Sequence, residues 1–248
     1  MYLIGDPHLG REFVANVPLD RRGERERMMM EDFEWRLNAS DETTVIMGDL
    51  FDRPMITERS VAAIQTLYHV INLILAAALA QPSRKIIIIA GNHDLNKATE
   101  IVGAYHIVAL ALDRVPNVFV LLEPRIIDNV AYFPWQYEKT AEEQVHELKP
   151  SGCDMAIGHW DLESFGDHTN HLAPTQALRG YGVEKLITGH WHITGDYVVD
   201  SHTVHCTGSM QPLTHAEDPM ETMYVTMDKD EYESHDPSDF VDHYVRVR

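Results

Sequence analysis

Five times along the chain, a short apolar run ends in a glycine followed at once by a residue able to bind a metal ion. Tyr2-Leu3-Ile4-Gly5 precedes Asp6, Thr44-Val45-Ile46-Met47-Gly48 precedes Asp49, and the run from Lys85 to Gly91 precedes Asn92. Met155-Ala156-Ile157-Gly158 then precedes His159, and Leu186-Ile187-Thr188-Gly189 precedes His190. The whole chain has only 14 glycines, so chance does not account for five such units. Short β-branched and aliphatic runs bounded by glycine predict buried strands. The stretches between several of them predict helices, over 24–38, 57–80 and 100–112, with Thr57-Glu58 suiting a helix start and Pro82 closing that helix. Strand–helix alternation implies an α/β fold with a largely parallel sheet, whose ligands gather at the carboxyl ends of the strands. Each glycine would let the chain turn sharply and bring its backbone near that edge.

Beyond about residue 197 the pattern changes to strands without long helices, over 197–199, 203–206 and 223–227, expected as antiparallel additions that complete a second sheet. One domain over 1–228 is expected, with an acidic tail over 229–248 and no separate capping domain. The uncharged stretch 61–80 is interrupted by Gln65, His69 and Asn72, and between two site-bearing strands it reads as a buried crossover helix rather than a membrane span. Met1 leads almost directly into the first motif, so no secretory leader is expected. Cys153 and Cys206 lack metal-type spacing and should stay reduced, which suits a cytoplasmic protein.

The net charge of −19 argues against a protein that coats nucleic acid by charge alone. It does not exclude an enzyme that meets phosphates at a metal site, where divalent cations reverse the local sign. The basic residues are also unevenly spread. Arg11, Arg21, Arg22, Arg25 and Arg27 follow the first motif and Arg53 follows the second, which makes them candidates for contact with a DNA backbone.

Asp6 and His8, one residue apart after a strand, can aim at one ion; Asp49 has two carboxylate oxygens, enough to bridge two. Asn92 offers a carbonyl oxygen, and His159, His190 and His192 offer imidazole nitrogens. Mixed nitrogen and oxygen donors without thiolate favour Mn, Fe or Zn over a cysteine-rich zinc site. Asp52 is expected as a loop cap or as an acceptor supporting the ligands, and Trp135 as packing. The histidines outside these motifs are assigned nothing.

Asp6-Pro7-His8, Gly48-Asp49-Leu50-Phe51-Asp52, Gly91-Asn92-His93-Asp94, Gly158-His159 and Gly189-His190-Trp191-His192, in that order, resemble the signature of calcineurin-like metallophosphoesterases. The resemblance implies a two-sheet β-sandwich flanked by helices, in four α/β/β/α layers. It implies that Asp6, His8, Asp49 and His192 hold one divalent ion and that Asp49, Asn92, His159 and His190 hold the other. His93 would then protonate the leaving oxygen, with Asp94 orienting its imidazole.

Asp6-Pro7-His8-Leu9-Gly10, the run Gly48 to Pro54, and the closing His205-Cys206-Thr207-Gly208-Ser209-Met210 and Leu213 to Asp218 look like the SbcD and Mre-type nuclease family. Gly158 to Gly166 is most similar to its bacteriophage branch. That likeness implies manganese-dependent hydrolysis of DNA phosphodiesters, both exonucleolytic and endonucleolytic, in repair, recombination or degradation. It also implies a homodimer, an SbcC-type SMC-like ATPase as partner, and a cytoplasmic setting (the host cytoplasm for a bacteriophage protein), with Fe, Zn or Mg as alternative ions. A stand-alone phosphatase or phosphodiesterase for nucleotides or small phosphoesters, and a non-catalytic metal-binding accessory subunit, are the alternatives.

Overall fold

All four residues of the run Ile86–Ile89 are buried, as a parallel strand covered on both faces requires. The computed structural model describes residues 1–15, 17–54, 61–98, 101–163, 170–240 and 243–248. Strands β1 (Tyr2–Ile4), β2 (Thr44–Ile46), β3 (Ile86–Ile89) and β4 (Val118–Leu121) lie side by side in chain order, all parallel. Helices α1 (Glu24–Asn38), α2 (Val61–Ala80) and α3 (Ala104–Leu112) connect them. Helix α1 spans the expected residues and buries Met29, Phe33 and Leu37 at four-residue spacing.

Helix α2 ends at Ala80, just ahead of Pro82; its expected start at Thr57 lies outside the described residues. It is less buried than the sequence suggests. Val70, Ile74, Ala77 and Ala78 turn inward, while Ile64, Tyr68 and Leu79 are exposed. By length and composition it could cross a membrane, with mean hydropathy 1.7 over its most apolar window. Helix α3 starts later than the expected residue 100. Gly103 takes the capping position in an extended conformation, and its N–H donates to His106 Nδ1.

A six-stranded sheet follows: β5 (Arg125–Ile127), β6 (Val130–Phe133), β7 (Met155–Gly158), β8 (Lys185–Thr188), β9 (Gly195–Val199) and β10 (His202–Cys206), in the order β5-β6-β7-β8-β10-β9. The inner four strands are parallel and the two edge strands antiparallel to their neighbours. Alternation along these strands makes the sandwich. Val130, Tyr132, Ile157 and Ile187 share one core with Val45, Met47, Ile87 and Ile89 of the first sheet. Ala131, Phe133, Ala156 and Leu186 point the other way, into a core with Val145 of α4 (Ala141–Leu148) and Leu178 of α5 (Thr175–Gly180). Helices, sheet, sheet and helices thus form four layers.

Residues Gln211–Arg248 form a second compact unit, separate from Met1–Met210. In it, β11 (Tyr224–Met227) pairs in parallel with β12 (Tyr244–Val247), and α6 (Lys229–Ser234) lies between them in sequence. Asp218 accepts hydrogen bonds from the backbone N–H groups of Thr222, Met223 and Tyr224. Of the three late strands expected as antiparallel additions to the second sheet, β9 joins it antiparallel, β10 joins it parallel to β8, and β11 lies outside it. Residues 229–248, expected as a tail, contribute α6 and β12.

Candidate metal centre

The loops after β1, β2, β3, β6, β7 and β8 meet at one edge of the sandwich. Backbone bonds stitch them together: His8 N–H to Asp49 O at 2.8 Å, Gly189 N–H to Gly158 O at 3.1 Å, and Trp135 N–H to Ala90 O at 2.8 Å. The glycines matter here mainly for space. A Cβ on Gly48 would overlap the His159 ring, one on Gly91 would overlap the Asp49 carboxylate, and one on Gly189 would overlap Asp6 Oδ1. Three of the five motif glycines thus make room for another motif's ligand, while Gly5 lies against the Gly208 backbone and Gly158 against the Trp160 ring. The sharp turning falls partly on the ligands themselves, since His8 (φ 46°), Asp49 (φ 46°) and His190 (φ 72°) are left-handed. Such backbone costs roughly 1–3 kcal/mol per residue and persists where the surroundings over-determine it.

The seven expected ligands come together in two overlapping groups. The donor atoms of Asp6, His8, Asp49 and His192 lie within 4.8 Å of one another, and so do those of Asp49, His159 and His190. Asn92 joins the second group, its Oδ1 lying 3.0 Å from His159 Nε2 and 2.9 Å from His190 Nδ1. The Nε2 atoms of His8 and His192 face each other at 3.0 Å. Such spacings suit donors aimed at one cation about 2 Å from each.

Each carboxylate is anchored through one oxygen and leaves the other unbonded. Asp6 Oδ2 accepts the His190 N–H at 2.7 Å, and Asp49 Oδ1 accepts the His93 N–H at 2.9 Å. Among the described residues, Asp6 Oδ1 and Asp49 Oδ2 are buried and meet no hydrogen-bond donor. Asp49 Oδ2 lies 3.5 Å from His8 Nε2 and 3.4 Å from His159 Nε2, between the two groups. Buried acceptors left bare are costly unless something else compensates them, and two cations fit this donor set.

The imidazoles are held by their outward nitrogens. His159 Nδ1 lies 2.9 Å from Met47 O, and His190 Nε2 lies 2.7 Å from Asp161 Oδ1. Burial pushes Asp6 up to about 7 despite nearby His159 and His192. Burial acts upward on Asp49 as well, but His159 and His8 hold it well below the usual carboxylate range. Burial would lower His159, yet Asp49 and Asp6 raise it to about 10. Without a cation the cluster therefore retains protons that a cation would displace.

His93 borders an open cleft of about 410 Å³, with Asp52, Arg53, Asn92, Lys97 and Tyr137 among its other walls. Its Nδ1 lies 2.6 Å from Asp52 O. Asp94, expected to orient this ring, does something else. Its oxygens accept the backbone N–H groups of Leu50, Phe51 and Gly91, clamping the second motif's loop to the third. Asp52 Oδ1 lies 3.5 Å from His8 Nδ1 and 3.2 Å from Arg11 Nη1, and Asp52 groups with His8 and His93 as a third set of candidate donors. Trp135 is 8% exposed and packs, stacked on His171 at 3.7 Å.

The arginines are less uniform than their clustering suggests. Arg25 is 2% exposed, its guanidinium over the Phe13 ring, so it offers no surface to a nucleic acid. Arg21 pairs with Glu24 at 2.7 Å and Arg27 with Glu31 at 3.8 Å, while Arg22 is exposed. Arg11 and Arg53 both line a groove next to the first motif. The residues that sequence reasoning missed are Asp161, His171, Lys97 and Tyr137. Asp161 had one usable signal, since it lies two residues after His159 on extended chain, where alternate side chains share a face.

Fold and site together define a metallophosphoesterase. The chain belongs to the calcineurin-like phosphoesterase family, whose model matches residues 1–194. That family of hydrolases binds two divalent metal ions, and the residues that would hold them here are those just described. The chain is similar to exonuclease subunit 1 of Enterobacteria phage T4, with 25% identity over 210 residues, 76% of this chain and 54% of that protein. It thus spans about half the length of that curated relative. Among solved structures it is similar to a putative 5'-nucleotidase from Staphylococcus aureus (15% identity, TM-score 0.45, 84% of this chain and 48% of that one). It is also similar to phosphopantetheinyl hydrolase from Mycobacterium tuberculosis (13% identity, TM-score 0.45, 89% and 92%).

Proposed function

We propose that this protein is a metal-dependent DNA nuclease that hydrolyses phosphodiester bonds at the shared cluster. The observation that carries the hydrolytic reading is the bare Asp49 Oδ2 between the two ligand groups. Asp6, His8, Asp49 and His192 hold one cation, and Asp49, Asn92, His159 and His190 hold the other, with manganese as the expected metal. When bound, the pair supplies Lewis-acid charge and activates water for attack on phosphorus. The protein's own residues do the rest. Asp49 Oδ2 and Asp6 Oδ1 would face the cations, Asp94 locks the two loops that carry Asp49 and Asn92, and His93, its Nδ1–H given to Asp52 O, would as an imidazolium donate the Nε2 proton to the leaving oxygen.

DNA is favoured as substrate by the likeness to a phage exonuclease subunit and by the open cleft, where Arg53 and Lys97 stand beside His93. Arg11 and Arg53 are the arginines best placed to guide a backbone. The relative is named as a subunit, which supports a partner chain, and the partner proposed is an ATPase of the SbcC type; a homodimer is proposed on the outer face of α2, where Ile64, Tyr68 and Leu79 are exposed among the described residues. The setting proposed is the cytoplasm, that of the host if the protein comes from a bacteriophage.

The charge of −19 favours a second reading, a phosphatase or phosphodiesterase for nucleotides or other small phosphoesters. One panel separates the two: purified protein with Mn²⁺ on linear double-stranded DNA, single-stranded DNA, mononucleotides and a generic phosphodiester, with Asp49→Ala as control. Cleavage of DNA that the control lacks supports the nuclease. Turnover of small esters alone supports the second reading, and no turnover of anything supports an accessory metal-binding subunit.

A further inference from the structure

The two ligand groups are unequal in charge. Asp6 and Asp49 both serve the first, whereas the second has Asp49 alone, together with the neutral side chain of Asn92 and two imidazoles. Immediately outside that second group stands Asp161, its Oδ1 2.7 Å from His190 Nε2. We propose that Asp161 is a positioning residue for the second cation: it locks His190 in the tautomer that directs the Nδ1 lone pair inward, and it supplies the negative charge this ligand set lacks.

A neutral imidazole carries one N–H, and the nitrogen that donates it cannot ligate. With Nε2–H given to Asp161, the lone pair sits on Nδ1, the atom that lies 2.9 Å from Asn92 Oδ1. The partner is itself fixed. Asp161 N–H donates to His171 O, and Asp161 O accepts from Ala173 N–H, both at 2.9 Å. The ring of His190 is also held over its face, since Trp135 lies 5.4 Å away at 35° and is stacked in turn on His171. His159 and His8 have no carboxylate contact so short on the outward nitrogen. His159 uses the neutral Met47 carbonyl, and His8 Nδ1 is 3.5 Å from Asp52 Oδ1.

This rests on the two-cation reading, and the test separates the two claims. Mn²⁺ is titrated into the full chain by calorimetry and followed by electron paramagnetic resonance, for wild type, Asp161→Asn, Asp161→Glu and His190→Gln. Wild type is expected to take up two ions and give an exchange-coupled signal. Asp161→Asn keeps the shape and removes the charge; it should weaken one ion about 10–100-fold, leave the other unchanged, and lose the coupled signal at subsaturating Mn²⁺. Asp161→Glu should recover part of the affinity. In a His190→Gln background, Asp161→Asn should weaken that ion clearly less than it does in wild type, because only the charge and not the tautomer lock is left to lose, a non-additivity that a merely structural role would not produce. Equal weakening of both ions, no weakening of either, or full additivity with His190→Gln would overturn the proposal. Failure of wild type to bind a pair of ions would overturn the two-cation reading itself.

Discussion

The backbone N–H of His93 donates to Asp49 Oδ1 at 2.9 Å. The residue proposed to protonate the leaving group thus fixes, through its main chain, the carboxylate that the two ligand groups share, and Oδ2 is left for the cations. Asp49→Ala should therefore abolish binding at both positions rather than one. Manganese content after gel filtration should fall from two per chain to near zero. Hydrolysis should fall about a thousandfold or more, the worth of several kcal/mol of charge stabilisation. Retention of one tightly held ion would contradict the bridging role.

His93 itself should separate binding from turnover. His93→Gln is expected to keep both ions and to lose about 10²–10⁴ in rate on DNA, whose leaving alkoxide needs a proton. A p-nitrophenyl phosphodiester, with its good leaving group, should lose far less. Equal losses on the two substrates would remove His93 from the acid role.

Space at the glycines can be tested by contrast. Gly91→Ala places a methyl group on Asp49, whereas Gly180→Ala, at the end of α5, meets nothing within 4 Å. Gly91→Ala should weaken Mn²⁺ binding about tenfold or more. Gly180→Ala should leave it alone and stabilise the fold by about 0.4–1 kcal/mol, read by denaturant titration. If Gly91→Ala binds metal normally, the packing of one motif's glycine on another's ligand has no consequence.

Much of this centre was legible in the sequence because each ligand sits within a contiguous strand–glycine–donor motif, where chemistry and position coincide. What escaped depended on contacts between motifs. Asp161 meets His190 across 29 residues. The family resemblance implies that Asp94 orients His93, but on this turn its carboxylate points to the backbone of Leu50 and Phe51. Strand propensity located β11 without naming its partner, since pairing is a tertiary choice, and β12 claimed it. A place between two site-bearing strands predicts a buried α2, yet its inward stripe of Val70, Ile74, Ala77 and Ala78 takes only one side.

Asp6 and His159 are two of the groups through which stability depends on pH. Without metal, folding raises Asp6 from 3.8 to about 7 and His159 from 6.5 to about 10. A group raised on folding stabilises fully below its unfolded value and loses that contribution as pH rises through its folded value. The metal-free protein should therefore lose stability from pH 3.8 to about 7 through Asp6, and from 6.5 to about 10 through His159. Cations replace those protons, so saturating Mn²⁺ should raise the melting temperature more at about pH 8 than at about pH 6. Equal gains in differential scanning fluorimetry would count against this linkage.

The most direct measurement is anomalous diffraction at the manganese edge from crystals grown with Mn²⁺. The expected result is two peaks, one among Asp6, His8 and His192 and the other among Asn92, His159 and His190, with Asp49 Oδ2 between them. A single peak, or peaks away from Asp49, would contradict a shared two-cation centre.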